Sequence, residues 1–386
     1  METRLTQASD QLHERVQRFA ELVLEAGYAA PGDAFEQLAL DIARFQAEAS
    51  PGFARLLAAR GARLDCLDDL PPVPSDAFRL ARVATFPDEL ARVRFYTSGT
   101  TGSERGTHAM RRTDTYAKLS LAFGRQALLR AGTSLPAAVA IALAPRAMAQ
   151  GGSSLGHMMA RFMEAFDGEP LDAAEPRFDH EADARWLLGE QGVDQAGLAR
   201  ALQAAHARAL PVLLLGTAFA LVRLLDELAG AALPLPPDSV VMQTGGFKGK
   251  SREVSFDELR VQLSRAFELE PGQIVGEYGM TELTSQLYQA SAAGSALGQS
   301  RAGAPPHVYY EPPWLRVTPV DPLSLLPVPQ GEVGLARFVD LGNIDSAVSV
   351  VTQDLVRRAQ GGIELLGRQP GAPARGCSLA IEALLG

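Results

Sequence analysis

Near the start of the chain, apolar residues recur at steps of three and four. Leu12, Val16, Phe19 and Val23 share one face of a helix predicted over residues 11–27. Phe35, Leu38, Ile42 and Phe45 repeat the pattern, and Ser50-Pro51 closes it. The stretch LPPVPSDAFR (70–79) follows; its prolines exclude a regular helix and predict an extended crossing of the surface. Residues 112–129 suit another helix. The period then changes. AAVAIAL (137–143), PVLLLG (211–216) and VVMQTGG (240–246) are short continuous apolar runs, as in strands buried on both faces. Segments with helical apolar faces separate them, one beginning near Ser153 after a glycine turn. This alternation predicts an α/β fold, a mostly parallel sheet with helices on both faces. Ligands bind beyond the carboxyl ends of such strands, so the loops after Tyr96, Leu143, Leu215 and Thr244 are expected along one edge.

From about Ser291 the texture becomes proline-rich, with short apolar segments: WLRVTPV, GEVGLARFVDL, SAVSVVTQDLV and GIELLG. These read as strands of a small β-rich lobe. The stretch 290–297 is alanine-rich and reads as a loop or frayed helix, and CSLAIEAL near the end as a strand. The expected divisions are a helical preface (1–90), an α/β core (91–290), the lobe (291–368) and a tail (369–386). At 386 residues, 47% hydrophobic and 21% charged, the composition is that of a globular protein. A net charge of -9 argues against a nucleic-acid or membrane-surface binder. The charged beginning METRLTQASDQLHERV does not resemble a signal peptide, and no apolar run approaches the roughly 18 residues of a membrane span. Cys66 and Cys377 form neither a disulfide framework nor a metal spacing. A reduced, cytoplasmic protein is expected.

Chemistry concentrates first in FYTSGTTGSERGT (95–107). Gly99, Gly102 and Gly106 open backbone angles closed to other residues, while Thr97, Ser98, Thr100, Thr101 and Ser103 supply hydroxyls. Bare N–H groups and hydroxyls together cradle phosphate oxygens. The plain alternative is a solvated Ser/Thr/Gly loop; a Walker A loop is excluded, because no Gly-Lys-Ser/Thr follows. The second concentration is GEYGMTEL (276–283), a strand-then-turn segment holding Tyr278, Gly279, Thr281 and Glu282. For Glu282 the plain alternative is an exposed acid at a helix N-terminus. In Gly245-Gly246-Phe247-Lys248 the glycines let a planar base approach the backbone, and Lys248 is either a partner for a phosphate or carboxylate or a solvated cation.

TSGTTG resembles the phosphate-loop motif of the adenylate-forming superfamily, and GEYGMTEL resembles its YGMTE segment. The resemblance implies ATP-dependent activation of a carboxylic acid as an acyl adenylate, with ATP and Mg²⁺ as cofactors. It places Ser98 to Gly102 and Thr97 at phosphates, Gly245, Gly246, Tyr278 and Gly279 at the adenine, Thr281 at the α-phosphate and Glu282 on Mg²⁺. Asp354, in VTQDLV, resembles the superfamily's ribose-binding TGD element with Gln353 in place of Gly, and Arg368 resembles its Gly-Arg hinge. Two departures stand out. SERGTH replaces the usual Pro-Lys-Gly continuation, so Arg105 or His108 is expected to supply positive charge. Too few residues follow Arg368 for the usual mobile C-terminal domain of roughly 100 residues.

LPPVPSDAFR, GGFK and the ending GR…RGCSLAIE together resemble the acyl-protein synthetases of bacterial bioluminescence, the long-chain-fatty-acid–luciferin-component ligase family. That resemblance implies acyl transfer to a cysteine, here Cys377, and on to a partner within a reductase complex or to a carrier protein. A thiolate attacks a mixed anhydride readily, and Arg375 is expected to lower the thiol's pKa. The plain alternative for Cys377 is a small buried hydrophobe. The catalytic set implied is therefore Thr281, Glu282, Lys248 and Cys377. Two alternatives stand beside this function: a compact acyl- or aryl-CoA ligase resembling phenylacetate-CoA ligase, and a non-catalytic nucleotide-binding partner.

Overall fold

A computed structural model describes residues 2–27, 33–97, 105–128, 138–167, 185–245, 254–289, 308–359, 361–371 and 375–385. The elements in order are α1 (Glu2–Glu25), α2 (Ala34–Ala49), α3 (Pro51–Arg60), β1 (Val73–Pro74), α4 (Ala77–Leu80), β2 (Val93–Tyr96), β3 (Thr107–Met110), α5 (Asp114–Leu128), β4 (Val139–Leu143) and α6 (Ser154–Ala165). Next come β5 (Leu188–Gly189), β6 (Gly192–Val193), α7 (Gln195–Ala207), β7 (Val212–Thr217), α8 (Ala218–Leu228), β8 (Val240–Thr244), α9 (Phe256–Phe267), β9 (Ile274–Tyr278) and β10 (Leu287–Gln289). The chain ends with β11 (Val308–Tyr310), β12 (Leu315–Val320), β13 (Val333–Asp340), β14 (Ser349–Ala359), β15 (Gly362–Arg368) and α10 (Arg375–Leu385). They form two compact units, one of Met1–Ser120, Met280–Leu287 and His307–Gly386, the other of Leu121–Gly279 and Tyr288–Pro306. The preface and the β-rich lobe, read as separate segments from sequence, thus share the first unit.

In the first unit, β12, β13, β14, β15 and β11 follow one another in an antiparallel sheet. Helix α1 turns Leu12, Val16, Phe19 and Val23 inward, as their spacing predicts. It is pinned by polar contacts: His13 Nε2 lies 3.2 Å from Asp345 Oδ2, and Ser9 Oγ donates to Asp345 Oδ1 at 2.5 Å. Helix α3 has Pro51 in its first turn and ends at Gly61, whose φ of 61° is the left-handed conformation that favours glycine. LPPVPSDAFR does not cross the surface. Leu70, Pro71, Pro72, Val73 and Pro74 are buried, and β1 pairs parallel with β14, Val73 opposite Val350. Proline lacks an N–H to satisfy, which makes burial of this backbone less costly.

In the second unit, β4, β7, β8 and β9 are parallel neighbours in that order. All five residues of β4 and all five of β8 are buried, which is why their sequences do not alternate. Leu198 and Leu202 of α7, Leu221 and Leu224 of α8 and Leu259, Leu263 and Phe267 of α9 pack with Val139, Ile141, Leu214 and Val241 in one core. The register sets Leu143 against Gly216, Thr217 against Thr244 and Thr244 against Glu277, so these carboxyl ends are level. Tyr96 is not among them. Its strand β2 pairs antiparallel with β3 in a separate two-stranded sheet of the first unit, a correction to the single edge read from sequence. CSLAIEAL is helical as well: Gly376, Cys377, Ala380 and Leu384 of α10 are buried at helical spacing. Among the described residues, no helix is long and apolar enough to cross a membrane.

Arg185 is a buried tie of the second unit. Its Nη1 donates to the carbonyls of Ala140 and Phe166 at 2.9 and 3.0 Å, and its Nη2 to Met163 at 3.0 Å. Arg185→Met preserves bulk while removing a donor from each of these carbonyls, although Phe166 O keeps the Ala140 N–H; the expected loss is about 3 kcal/mol. Urea unfolding followed by tryptophan fluorescence measures it; an unchanged midpoint would show that the carbonyls need no such partner.

Candidate functional site

The segment read as a phosphate loop lies in sequence between β2 and β3, where Phe95 pairs with His108 and Tyr96 with Thr107. Beyond that pair, Thr97 N–H donates to the Gly106 carbonyl at 2.9 Å, and Gly106 N–H donates to Thr97 Oγ1 at 2.9 Å. A Cβ on Gly106 would stand 3.0 Å from Thr97 Cγ2, so glycine lets this neck close. Thr97, read as a phosphate contact, has its hydroxyl engaged in the neck. Ser98, Gly99, Thr100, Thr101 and Gly102 lie outside the described residues. His108 is not a source of positive charge: burial pushes its imidazole down to about 4, so it is neutral at physiological pH. Arg105 is exposed.

In the first unit the turn after GEYG carries Thr281, half-buried, and Glu282, buried at 8% exposure. Burial pushes the Glu282 carboxyl up to about 7; its own backbone N–H opposes this, Asp76 adds to it, Arg368 opposes it and Asp354 adds to it. The fold therefore brings together Glu282, Asp354 and Arg368, three of the residues singled out by motif. Asp354 and Arg368 are opposite one another on β14 and β15. Gly367 just before Arg368 has φ 94°, a conformation that explains the Gly-Arg pair. Asp76, to which LPPVPSDAFR gave no role, joins the group, held by Gln353 Nε2, which donates to its Oδ2 at 3.1 Å. Gln353, the departure from the resembled TGD element, is thus the residue whose amide seats this carboxylate.

Around the buried Glu282 carboxyl, Asp76 and Asp354 are half-buried and Arg368 is exposed, so the group is mainly acidic and reached by solvent, chemistry suited to a divalent ion and phosphate oxygens. Among the described residues, no three His, Cys, Asp or Glu side chains are grouped to hold a metal. Mg²⁺ commonly takes one or two carboxylates and fills its remaining positions with phosphate and water, so Glu282 fits that role.

The second unit holds the residues assigned to adenine. Gly245 follows β8 with φ 69°, and Tyr278 ends β9 half-buried, with Gly279 exposed beyond it. Gly246 and Lys248 lie outside the described residues. The same edge carries a buried pair to which the motifs gave no role: Thr244 Oγ1 donates to Glu277 Oε2, and burial pushes the Glu277 carboxyl up to about 7. Met158 and Met159 of α6 are core residues, and burial lowers His157 beside them to about 4.

Cys377 lies near the start of α10, which packs on α3 and β1. Arg60 Nη2 donates to the Gly376 carbonyl at 3.1 Å, and Gly376 N–H donates to Pro322 O at 3.0 Å. The thiol is buried and pushed up to about 11, by burial first and then by Asp76; Arg60 opposes the shift. Arg375 is not the charge that tunes it, contrary to expectation. In this position the sulfur is a protonated thiol at neutral pH. Asp76 thus acts on both Glu282 and Cys377, which places the two in one electrostatic neighbourhood.

No protein-family model matches the chain. Over 154 residues it is 25% identical to the long-chain-fatty-acid–luciferin-component ligase of Vibrio harveyi, a match spanning 38% of this chain and 37% of that relative. Two crystal structures of 2-hydroxyisobutyryl-CoA ligase in complex with 2-HIB-AMP and CoA superpose with TM-scores of 0.56 and 0.57. They are 13% and 14% identical, covering 88% of this chain and 76% and 69% of theirs. The chain accordingly shares the α/β fold of 2-hydroxyisobutyryl-CoA ligase, and part of its sequence is similar to a luciferin-component ligase.

Proposed function

We propose that the chain is an ATP-dependent ligase that activates a carboxylic acid, a fatty acid on the strength of the partial sequence likeness, as its acyl adenylate. The observation that carries this reading is the gathering of Glu282, Asp354 and Arg368 around one buried carboxyl, in the order and context of the motifs. In this reading Ser98 to Gly102 cradle the departing pyrophosphate, while Lys248 pairs with a phosphate or the substrate carboxylate. Thr281 meets the α-phosphate, Asp354 the ribose, and Gly245, Gly246, Tyr278 and Gly279 the adenine. Mg²⁺, held by Glu282, would neutralise charge on the phosphates. The acyl group then leaves to a thiol: Cys377 and onward to a partner protein, or coenzyme A directly. The raised, buried Cys377 thiol favours the second route unless α10 moves.

Acid-dependent ATP–pyrophosphate exchange, screened across carboxylic acids with and without coenzyme A, tests the reading; no exchange with any acid would end it. Glu282→Gln is expected to lower turnover about a hundredfold by removing the metal-held charge. On the Cys377 route, Cys377→Ser leaves exchange intact and abolishes the covalent labelling of wild type by radiolabelled acid plus ATP; on the coenzyme A route neither protein is labelled. Equal labelling of the Ser variant would remove Cys377 from the reaction.

Titration supplies an independent check. The Glu282 carboxyl titrates near 7 in the fold, against an ordinary value of 4.5. Its stability contribution is therefore intact below the ordinary value and is lost as pH rises through about 7. Wild type and Glu282→Gln should melt alike near pH 4, with the variant gaining as pH rises to about 8. Parallel melting curves across that range would refute the shifted carboxyl.

A further inference from the structure

Two consecutive backbone carbonyls, those of Thr281 and Glu282, are each gripped by a buried side chain from a distant segment. His108 Nδ1 lies 2.7 Å from Thr281 O, and Asn343 Nδ2 donates to Glu282 O at 2.9 Å. A carbonyl only accepts, so His108 carries its proton on Nδ1. Phe78 meets its ring edge-on with centroids 5.5 Å apart. Asn343 is fully engaged, for Nδ2 also donates to Ala347 O at 2.9 Å and Oδ1 accepts the Thr284 hydroxyl at 2.7 Å. Asp340, at the end of β13, takes the rest of the turn. Its carboxylate accepts N–H bonds from Thr284 at 2.9 Å, Ser285 at 2.8 Å and Gly342 at 2.9 Å, and the Ser285 hydroxyl at 2.7 Å.

His108, Asp340 and Asn343 are 2%, 0% and 1% exposed. Withdrawing an imidazole, a carboxylate and an amide from water to hold one short turn is a costly way to satisfy backbone that water could reach. The turn has a particular need. It carries Glu282, whose side chain is only 8% exposed and would be better solvated if the turn swung outward. Gripping the carbonyls at and before Glu282, and the N–H groups two and three residues after it, removes that freedom. His108 also stands in β3, two residues past the Gly106 neck, so it ties the base of the phosphate-loop hairpin to the turn that follows GEYG.

We propose that His108, Asn343 and Asp340 are positioning residues for adenylate formation: they clamp residues 281–285 to strand β3 at the base of the hairpin, so that the Thr281 hydroxyl and Glu282 carboxylate are held in one position relative to that strand. The proposal rests on the reading of Glu282 and Thr281 as the residues that meet the reacting phosphates. His108 touches neither substrate nor metal in this scheme; it acts through the Thr281 carbonyl.

The full chain is compared with His108→Phe, which keeps a ring and removes the donor, and His108→Asn, which places an amide N–H near the lost Nδ1. The Phe variant is expected to lose about tenfold in kcat for acid-dependent pyrophosphate exchange with little change in KM for ATP, and the Asn variant to recover most of it. Amide hydrogen exchange over residues 281–285 should rise in the Phe variant and return toward wild type in the Asn variant. Asn343→Ser, which leaves room for water in place of the amide, should shift both measurements in the same direction and stands in if the Phe variant does not fold. A donor-less variant with wild-type kcat and unchanged amide exchange overturns the proposal, as does an Asn variant no better than Phe. Should the wild type exchange pyrophosphate with no acid, the adenylation reading falls, and amide exchange alone decides whether these side chains fix the turn.

Discussion

Withdrawal of carboxylates from water is the constraint on which the first unit depends. A buried carboxylate is tolerable when donors meet it, and otherwise seeks a proton, a cation or an exit. Asp345 shows the first outcome. Burial would raise its pKa, but the bond from His13, followed by Ser9 and the Arg111 charge, holds it below the usual carboxylate range. It is a structural anion that fastens α1 to the sheet. Glu282 shows the other outcome, since its own N–H and the Arg368 charge do not offset burial and two neighbouring acids. The same physics therefore separates an acid that holds the fold from one poised to meet a cation.

Asp340 stands between these cases. Four donors meet it, yet burial still raises its pKa above the ordinary value. The unit accepts that cost at the place where the Glu282 turn must be held, and spends Asn343 and His108 on the same turn. In the second unit the level carboxyl ends of β4, β7, β8 and β9 follow from parallel register, and Thr244 and Glu277 sit at that edge because strands β8 and β9 are neighbours.

Cys377 illustrates how a motif and its surroundings can point in different directions. Its RGCSL setting resembles an acyl-accepting cysteine, yet its helix is docked on α3 and β1 with the thiol buried near Asp76. A thiol raised to about 11 is a weak nucleophile at neutral pH. Transfer through this sulfur would require exposure of the residue or removal of the Asp76 charge.

The chain's periodicity by itself determined the elements. Three- and four-residue steps specify α1 and α2, and unbroken apolar runs specify β4, β7 and β8, because burial on one face or on both leaves a direct imprint on composition. Asp354 and Arg368 were singled out by resemblance to motifs; that strand β14, a turn and strand β15 bring them opposite one another is a matter of strand register. What only tertiary structure decided was pairing and environment. Nothing within FYTSGTTG reveals that β2 pairs antiparallel with β3 instead of joining the parallel sheet. CSLAIEAL has enough apolar residues for either period, and its packing on α3 and β1 selected the helix. The neutral state of His108, the arrival of Asp76 and the grip of Asp340 and Asn343 on the Glu282 turn each depend on contacts between segments far apart in the chain. Such contacts leave no period or spacing to read, because desolvation and hydrogen-bond geometry arise only once the chain has folded.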